Sequence, residues 1–275
     1  MLRPVLDSHR RQCLVRGRVP AALKLQGRVA LVTGGSGGVG REVVREFAQE
    51  GAAVAIHYRS SQESARKALA DVESVGGKGF LVRADLSSPE ECATAVAAVT
   101  RAFGRLDILA CFHGARFENR TWFAGFEDLR PEDFRIPLEV DLLGSVFITQ
   151  AVVPVMREQR SGRIIFTAST PAITGHRNGI PYLVAKAGIL GLTRGLASAL
   201  GEHGIHVNAL ALGAVDTEAM RILPQEAALA LAKEAALGRR GTPREVARKA
   251  VFLASDDAEF VTGQTLVVDG GYAMR

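Results

Sequence analysis

Short apolar runs alternate with longer amphipathic stretches along the chain from Gly27 onward. The runs are rich in β-branched residues and nearly continuously apolar, as in strands of a parallel sheet covered on both faces. The pattern predicts seven strands, at residues 29–33, 53–57, 79–83, 108–112, 164–168, 206–210 and 265–268. It predicts helices between them at about 39–50, 61–75, 89–103, 132–159, 181–202 and 243–254.

This alternation of strands and helices is typical of βαβ units. The sequence therefore predicts an α/β fold of the Rossmann type, with a doubly wound, mostly parallel seven-stranded sheet and helices on both faces. No internal repeat or low-complexity linker divides the chain, and 275 residues are enough for one large domain. We expect that single domain to span residues 25–275 and to include the substrate loops.

Two less regular segments, 115–135 and 217–240, are the candidates for these loops. In open α/β sheets, long loops at the carboxyl ends of strands usually form the ligand site. The first segment is rich in aromatic residues, Trp122 among them, which predicts a partly apolar pocket. Packing of these rings onto the core is the alternative.

The net charge of +5 belongs to the N-terminus. Residues 1–26 carry six basic side chains and one acidic side chain, so the rest of the chain sums to zero. A neutral body argues against nucleic-acid binding, which depends on positive charge facing phosphates. Residues 1–24 are interpreted as a basic, disordered extension; an organellar presequence, an interaction arm and a start codon placed too far upstream stay open.

Composition also bears on compartment and metal binding. No run of eighteen or more consecutive apolar residues is present, so we expect no membrane span. Cys13, Cys92 and Cys111 are spaced for neither a disulfide framework nor a metal site, and no His/Cys cluster has zinc spacing. We expect a cytoplasmic protein without a metal centre.

Tyr182 and Lys186 lie four residues apart in the predicted helix 181–202 and therefore share one face of it. An ammonium fixed near a phenol favours the phenolate, which makes the tyrosine a usable general acid/base near neutral pH. Ser169, upstream of the pair, is placed to hydrogen-bond a substrate oxygen. Because the spacing is short, a surface Tyr and Lys on an amphipathic helix is the alternative.

A glycine-rich turn follows the first strand and opens the first helix. Glycines there let the backbone approach a pyrophosphate, which sits at the helix N-terminus. In this strand–turn–helix setting the turn predicts a dinucleotide site. The residues assigned to it are Thr33, Gly34, Ser36, Gly37, Gly38, Val39 and Gly40.

The end of the second strand indicates which dinucleotide binds. An acidic residue there would bind the ribose 2′-hydroxyl of NAD, whereas an arginine accommodates the 2′-phosphate of NADP. The sequence has Arg59 and Ser60 and no carboxylate, which favours NADP(H) over NAD(H); a solvent-facing arginine is the alternative. Asp85 and Leu86, after the third strand, are expected to border the adenine.

Together these residues resemble the short-chain dehydrogenase/reductase family over about residues 27–274, with the 3-oxoacyl-thioester reductases matching best in the C-terminal half. The glycine-rich turn fits the family's Thr-Gly-x3-Gly-x-Gly motif. Ser169, Tyr182 and Lys186 fit its catalytic trio with the usual separations. Residues 208–217, 252–255 and 262–271 fit its later signatures.

The resemblance implies an NADP(H)-dependent oxidoreductase that acts on the CH–OH or C=O group of a ketone or 3-oxoacyl-type substrate. Tyr182 would exchange the proton, Ser169 would hold the carbonyl oxygen, and Lys186 would support Tyr182 and bind the cofactor ribose. Family members are commonly tetramers, so a homo-oligomer, tetramer or dimer, is expected. Further cofactor contacts implied by the resemblance are Cys111, His113, Gly114, Gly213, Val215 and Thr217.

The chain departs from the family pattern at three places. Asp141 stands where the family has a catalytic Asn; we keep it as a catalytic candidate and expect an altered proton relay or a shifted pH optimum, with loss of activity as the alternative. The family's Asn-Asn-Ala-Gly is replaced by residues 111–114, which include His113, interpreted as a structural histidine although titration near neutrality stays open. The family's Pro-Gly reads Leu212-Gly213.

Two other functions stay open at this point. One is an NADP-binding protein of this type with weak or no catalysis, acting as a sensor or scaffold. The other is an enzyme similar to pteridine reductases, whose relatives the stretch from His57 to Ser60 resembles.

Overall fold

Seven parallel strands form one sheet in the computed structural model, which describes residues 23–116, 118–218, 220 and 225–274. The predicted doubly wound sheet is confirmed, and each strand boundary lies within two residues of the prediction. The sheet order is β3-β2-β1-β4-β5-β6-β7, and every pairing is parallel. The strands are β1 Val29–Thr33, β2 Ala53–Tyr58, β3 Lys78–Arg83, β4 Ile108–Cys111, β5 Gly162–Ser169, β6 Ile205–Leu212 and β7 Thr265–Val268.

The strand order reverses between β1 and β4. At such a switch point the connections leave in opposite directions and open a crevice at the carboxyl ends of the strands. Most of the predicted catalytic and cofactor residues lie at or just after the carboxyl ends of β1 to β6, so the topology gathers them at this edge.

Ten α-helices lie within the described residues. The predicted helices at 39–50, 61–75, 89–103, 181–202 and 243–254 are present, and three short helices were not predicted. The helices are α1 Gly38–Gln49, α2 Gln62–Ser74, α3 Pro89–Phe103, α4 Asn119–Phe123, α5 Pro131–Pro137, α6 Gly144–Gln159, α7 Pro171–Thr174, α8 Ile180–Leu200, α9 Gln225–Glu234 and α10 Pro243–Ala254.

The predicted helix over 132–159 is confirmed as one continuous helical stretch, Pro131–Gln159, but it is not a regular α-helix throughout. The segment consists of α5, a π-helical turn at Leu138–Leu143, and α6. Pro137 lacks a backbone N–H and its ring crowds the preceding turn, which favours a break in the regular α-helical ladder at this point. The π-helical turn contains Asp141, which is buried.

The apolar core lies on both faces of the sheet. One layer packs against α1, α2 and α10 and is centred on Phe47, which is fully buried. The other packs against α3, α6 and α8 around Phe166, also fully buried. Burial of each ring contributes about 2–3 kcal/mol. Because the core lies on the two faces of the sheet, the loops at the carboxyl ends of the strands are available to form a site.

Two helical stretches, Pro131–Gln159 and Ile180–His203, are long and apolar enough to cross a membrane by length and composition alone. Both pack on the sheet through the second core layer. Each also contributes a buried charged side chain, Asp141 and Lys186, and these pair with each other. Core packing therefore accounts for part of their apolar content.

Several predicted features lie outside the described residues. These are residues 1–22 of the predicted basic extension, Phe117 and Ala219, residues 221–224 of the second predicted loop segment, and the last residue of the chain.

Candidate active site

Two cavities lie at the carboxyl edge of the sheet. The larger has a volume of about 860 Å³ and is lined by Ser169 and Tyr182. The smaller has a volume of about 290 Å³ and is lined by loops that follow β1, β2, β3 and β4. Consecutive residues line the two cavities at one point, since Gly114 lines the smaller cavity and Ala115 lines the larger.

The smaller cavity collects nine of the predicted cofactor residues. Its wall also includes His57, Tyr58 and Val140, which sequence reasoning did not assign. The first two precede Arg59 at the end of β2, so the strand-end rule that identified Arg59 could have included them. The predicted residues in the wall are Gly34, Ser36, Gly37, Arg59, Ser60, Asp85, Leu86, His113 and Gly114.

The glycine-rich turn has the shape of a phosphate cradle. A Cβ atom at Gly34 would lie 2.7 Å from the carbonyl oxygen of Phe112, and one at Gly40 would lie 2.4 Å from the carbonyl oxygen of Gly34. Only glycine permits these approaches. At Gly37, by contrast, a Cβ would meet nothing within 4 Å.

Helix α1 begins directly after Gly37 without a side-chain cap and has no acidic residue in its first turn. Its first N–H groups and the positive end of its dipole therefore favour an anion. This end of the cavity fits the pyrophosphate of a dinucleotide.

Arg59 stands at the other end of this cavity. Its side chain is exposed and forms no ion pair within 4.0 Å among the described residues. Asp85 accepts hydrogen bonds from the N–H and the hydroxyl of Ser87, at 3.0 and 2.7 Å. These bonds lower the pKa of Asp85, and the charge of Arg59 lowers it further. The guanidinium therefore lies at the end of the cavity where the adenosine of the cofactor is predicted to bind, and it forms no ion pair there within 4.0 Å among the described residues.

His113 is a hydrogen-bonded structural residue in this geometry. Its Nδ1 lies 2.6 Å from the hydroxyl of Thr33, and its Nε2 lies 3.5 Å from the hydroxyl of Ser145. Burial lowers the pKa of His113 to about 3, so the ring is neutral at physiological pH. Titration near neutrality, the alternative from the sequence, does not fit this environment.

The predicted catalytic trio is assembled at the larger cavity. Ser169 ends β5 and Tyr182 lies in the first turn of α8, and both side chains line the cavity. Lys186 lies behind them with only 6% of its side chain exposed, and its Nζ is 5.7 Å from the centre of the Tyr182 ring. The Lys186 ammonium also donates a hydrogen bond of 3.1 Å to the carbonyl oxygen of Thr167. The alternative, in which Tyr182 and Lys186 both lie on the surface of an amphipathic helix, is therefore wrong for Lys186, because its side chain is buried.

Asp141 forms a buried ion pair with Lys186. The Oδ1–Nζ distance is 2.8 Å, and only 1% of the Asp141 side chain is exposed. Oδ2 accepts the N–H of Ala115 at 2.9 Å, whereas Oδ1 has no close partner other than this ammonium among the described residues. Burial acts to lower the pKa of Lys186, but the charge of Asp141 and its hydrogen bond, together with the neighbouring Tyr182 and Cys111, outweigh burial and raise the pKa overall. The lysine therefore stays charged at physiological pH.

The remaining predicted cofactor residues occupy different positions. Gly213 lines the larger cavity. Cys111 is buried in β4, where burial raises the pKa of its thiol to about 12, so the thiol is inert. The others that line neither cavity are Thr33, Gly38, Val39, Gly40, Val215 and Thr217.

The wall of the larger cavity is mostly apolar and comes from several separate parts of the chain. Trp122 and Met220 come from the two predicted loop segments. His176 and Tyr272 were missed by sequence reasoning, because neither belongs to a local pattern and only the fold brings them to the cavity. Phe126, in the first loop segment, is 70% exposed and lines neither cavity.

Comparison with known proteins agrees with this architecture. A family model described as "Enoyl-(Acyl carrier protein) reductase" matches residues 34–273. The 3-oxoacyl-[acyl-carrier-protein] reductase FabG of Thermotoga maritima is 34% identical over 249 residues, which cover 90% of this chain and 99% of the relative. The L-rhamnose 1-dehydrogenase (NAD(P)(+)) of a Sphingomonas species is 35% identical over 250 residues, covering 90% and 96%. The crystal structure of levodione reductase matches with a TM-score of 0.83 at 31% identity, covering 90% of this chain and 97% of that one.

Proposed function

Because this chain belongs to the short-chain dehydrogenase/reductase family of oxidoreductases, we propose that it transfers hydride between NADP(H) and a ketone or 3-oxoacyl-type carbonyl, or the corresponding alcohol. One observation carries the proposal. Ser169 and Tyr182 line a cavity of about 860 Å³ beside a second cavity lined by the glycine-rich turn and Arg59. The reacting groups and the cofactor cradle thus share one edge of the sheet.

The residues of the chain would position the substrate and move the proton. The nicotinamide ring, when bound, supplies or accepts the hydride. In the reductive direction the hydroxyl of Tyr182 donates its proton to the carbonyl oxygen, and the hydroxyl of Ser169 hydrogen-bonds the same oxygen. Lys186 stabilises the phenolate that remains, because its ammonium lies one helical turn away and is held by Asp141 and the Thr167 carbonyl.

The preference for NADP(H) rests on the end of β2. Arg59 is a cation without an ion pair within 4.0 Å in the described part of the chain, and the residues that end β2 include no carboxylate; the carboxylate in the same cavity, Asp85, follows β3 and is hydrogen-bonded to Ser87. Ser60 lines the same cavity and provides a hydroxyl donor. An arginine and a hydroxyl together match phosphate oxygens better than a ribose hydroxyl.

The test is steady-state turnover of a panel of ketones, 3-oxoacyl thioesters, sugars and quinones with NADPH and with NADH. The Tyr182→Phe variant should lose about 10²- to 10⁴-fold in kcat, because it lacks the proton donor. NADPH binding, followed by nicotinamide fluorescence, should be unchanged in this variant. Turnover by Tyr182→Phe at the wild-type rate would contradict the assigned role.

A second candidate function, cofactor binding with weak catalysis, has one observation in its favour. The Asp141 carboxylate partly neutralises the ammonium that supports Tyr182. If NADPH binds tightly and no member of the panel is turned over, this second function replaces the first.

We also propose that the protein is a homo-oligomer. Large apolar side chains are exposed on the long helical stretches, with Ile136 at 53%, Val184 at 45% and Leu143 at 39% exposure. Exposed apolar surface of this kind marks association sites. Size-exclusion chromatography with light scattering should give a mass that is a multiple of 29.3 kDa. A monomer at micromolar concentration would contradict this proposal.

A further inference from the structure

Three rings stand side by side along one wall of the larger cavity. The centre of the Trp122 indole lies 6.0 Å from the His176 ring and 5.9 Å from the Tyr182 ring, with interplanar angles of 33° and 56°. All three residues line the cavity. We call these three residues the aromatic wall; it ends at the hydroxyl group that would donate the proton.

The position of Trp122 is set by the backbone of the loop before α8. A Cβ atom at Gly179 would lie 2.5 Å from two carbons of the indole ring, so only glycine allows the ring to sit there. The N–H of Gly179 also donates a hydrogen bond of 2.9 Å to the carbonyl oxygen of Trp122. Short helix α4 is therefore tied to the N-terminus of the helix that carries Tyr182. A ring fixed in this way is a preorganised surface, which a ligand meets at low entropic cost.

The aromatic wall restricts how a substrate can reach Tyr182. When a carbonyl oxygen lies at the Tyr182 hydroxyl, a group on the carbonyl carbon that extends along the wall meets the indole, whose centre is 5.9 Å from the Tyr182 ring. A flat aromatic ring can meet an indole edge-to-face or offset-stacked, and such pairs are favoured by about 2- to 12-fold beyond the effect of burial alone. A saturated ring of similar size buries comparable area without this gain.

We infer that Trp122 is a specificity-determining residue and that the substrate class is carbonyl compounds bearing an aromatic ring next to the C=O group. This inference rests on the carbonyl chemistry proposed above. It goes further because it assigns a structural role to the aromatic segment that precedes α5.

Acetophenone and cyclohexyl methyl ketone form the matched substrate pair, because they differ chiefly in ring aromaticity. The ratio of their kcat/KM values is measured for the wild type, Trp122→Leu and Trp122→Phe. Intrinsic reactivity cancels when the ratios are compared between proteins. We expect the ratio to fall about 3- to 10-fold in Trp122→Leu and less than 2-fold in Trp122→Phe. The control is Phe126→Leu, because Phe126 is an exposed aromatic residue that lines neither cavity. This variant should leave the ratio unchanged.

Trp122 is the single tryptophan of the chain, which allows a second test on the wild-type protein. In the presence of NADPH, acetophenone should change the indole fluorescence along a saturable curve, and cyclohexyl methyl ketone should saturate at a higher concentration. A linear, purely collisional response to acetophenone, or an unchanged ratio in Trp122→Leu, overturns the inference.

The two levels of proposal fail differently. If both ketones are reduced and the ratio of their kcat/KM values is the same in the wild type and in Trp122→Leu, the inference fails while the proposed oxidoreductase function stands. If neither ketone is reduced but acetophenone binds saturably and more tightly than its saturated counterpart, the aromatic wall is supported and the proposed chemistry is at fault.

Discussion

Asp141 holds the ammonium of Lys186 at 2.8 Å, and both side chains are almost fully buried. A carboxylate at this distance opposes the field of the ammonium at Tyr182, since opposite charges close together cancel at longer range. The charge at Asp141 therefore sets how strongly Lys186 can stabilise the phenolate.

The Asp141→Asn variant removes this opposing charge while keeping a similar shape. We expect alcohol oxidation, which needs the phenolate, to reach its half-maximal rate at a pH lower by about 1 unit. The measurement is the pH profile of kcat/KM. Asp128→Asn, which removes an exposed carboxylate that lines neither cavity, is the charge control.

The opposite shift would have a definite meaning. Burial acts to lower the pKa of Lys186, and Asp141 is the largest of the influences that raise it. If Asp141→Asn moves the profile to higher pH or abolishes turnover, the carboxylate is required to keep the buried lysine protonated, and the view of Asp141 as an opposing charge is wrong.

Arg59 is the residue on which cofactor choice depends. Arg59→Ala should raise the KM for NADPH by about 10- to 100-fold and leave the KM for NADH nearly unchanged, because a charge-assisted hydrogen bond to phosphate contributes about 1.5–3 kcal/mol. Arg66→Ala is the matched control, since Arg66 is exposed on α2 and lines neither cavity. An equal loss with both cofactors would remove the assignment to the 2′-phosphate.

Among the elements, the loop that joins α7 to α8 lines the substrate cavity and fixes the position of Trp122. Gly179 and Gly104, the residue that follows α3, both adopt the left-handed α conformation, with φ of +71° and +78°, but only Gly179 lies against another group, the Trp122 ring. Gly179→Ala therefore combines backbone strain with a clash, whereas Gly104→Ala carries the strain alone.

We expect Gly104→Ala to cost about 1 kcal/mol of unfolding free energy and Gly179→Ala about 1–3 kcal/mol more. Only the second should change activity, because it displaces Trp122 beside Tyr182. Urea unfolding together with ketone turnover measures both effects. Equal losses of stability and activity in the two variants would show that the contact with Trp122 is unimportant.

At the scale of the elements, sequence periodicity was sufficient for all seven strands and for the six predicted helices. It did not reveal the π-helical turn within 132–159, because the apolar pattern of α5 and α6 continues through this turn. A π-helical turn keeps the residues helical and changes only their angular position around the helix axis. The spacing of apolar residues therefore changes little, and the sequence pattern does not reveal the turn.

For the whole molecule, buried neutral histidines predict sensitivity to acid. The folded state lowers the pKa of His113 from 6.5 to about 3, and it also lowers the pKa of His57, chiefly through burial. Below pH 6.5 the unfolded chain binds protons that the folded chain excludes. Stability is therefore complete above pH 6.5 and falls as the pH decreases towards 3, by up to about 1.4 kcal/mol per pH unit for His113, and His57 contributes in the same direction.

His113→Asn tests this dependence, because asparagine keeps a polar partner for Thr33 and does not titrate. Urea unfolding at pH 6.5 and at about pH 5 should show a smaller loss of stability in the variant than in the wild type, by about 1–2 kcal/mol. Equal losses would show that His113 does not contribute to the acid sensitivity.

The sequence by itself determined the sheet, the glycine-rich turn and the shared face of Tyr182 and Lys186. These features are local, because periodicity and turn chemistry act over a few residues. Only the tertiary structure decided that Lys186 pairs directly with Asp141, that His113 is buried against Thr33, and that Trp122 lies beside Tyr182. Each of these joins residues from separate elements, and their distances depend on how the layers pack.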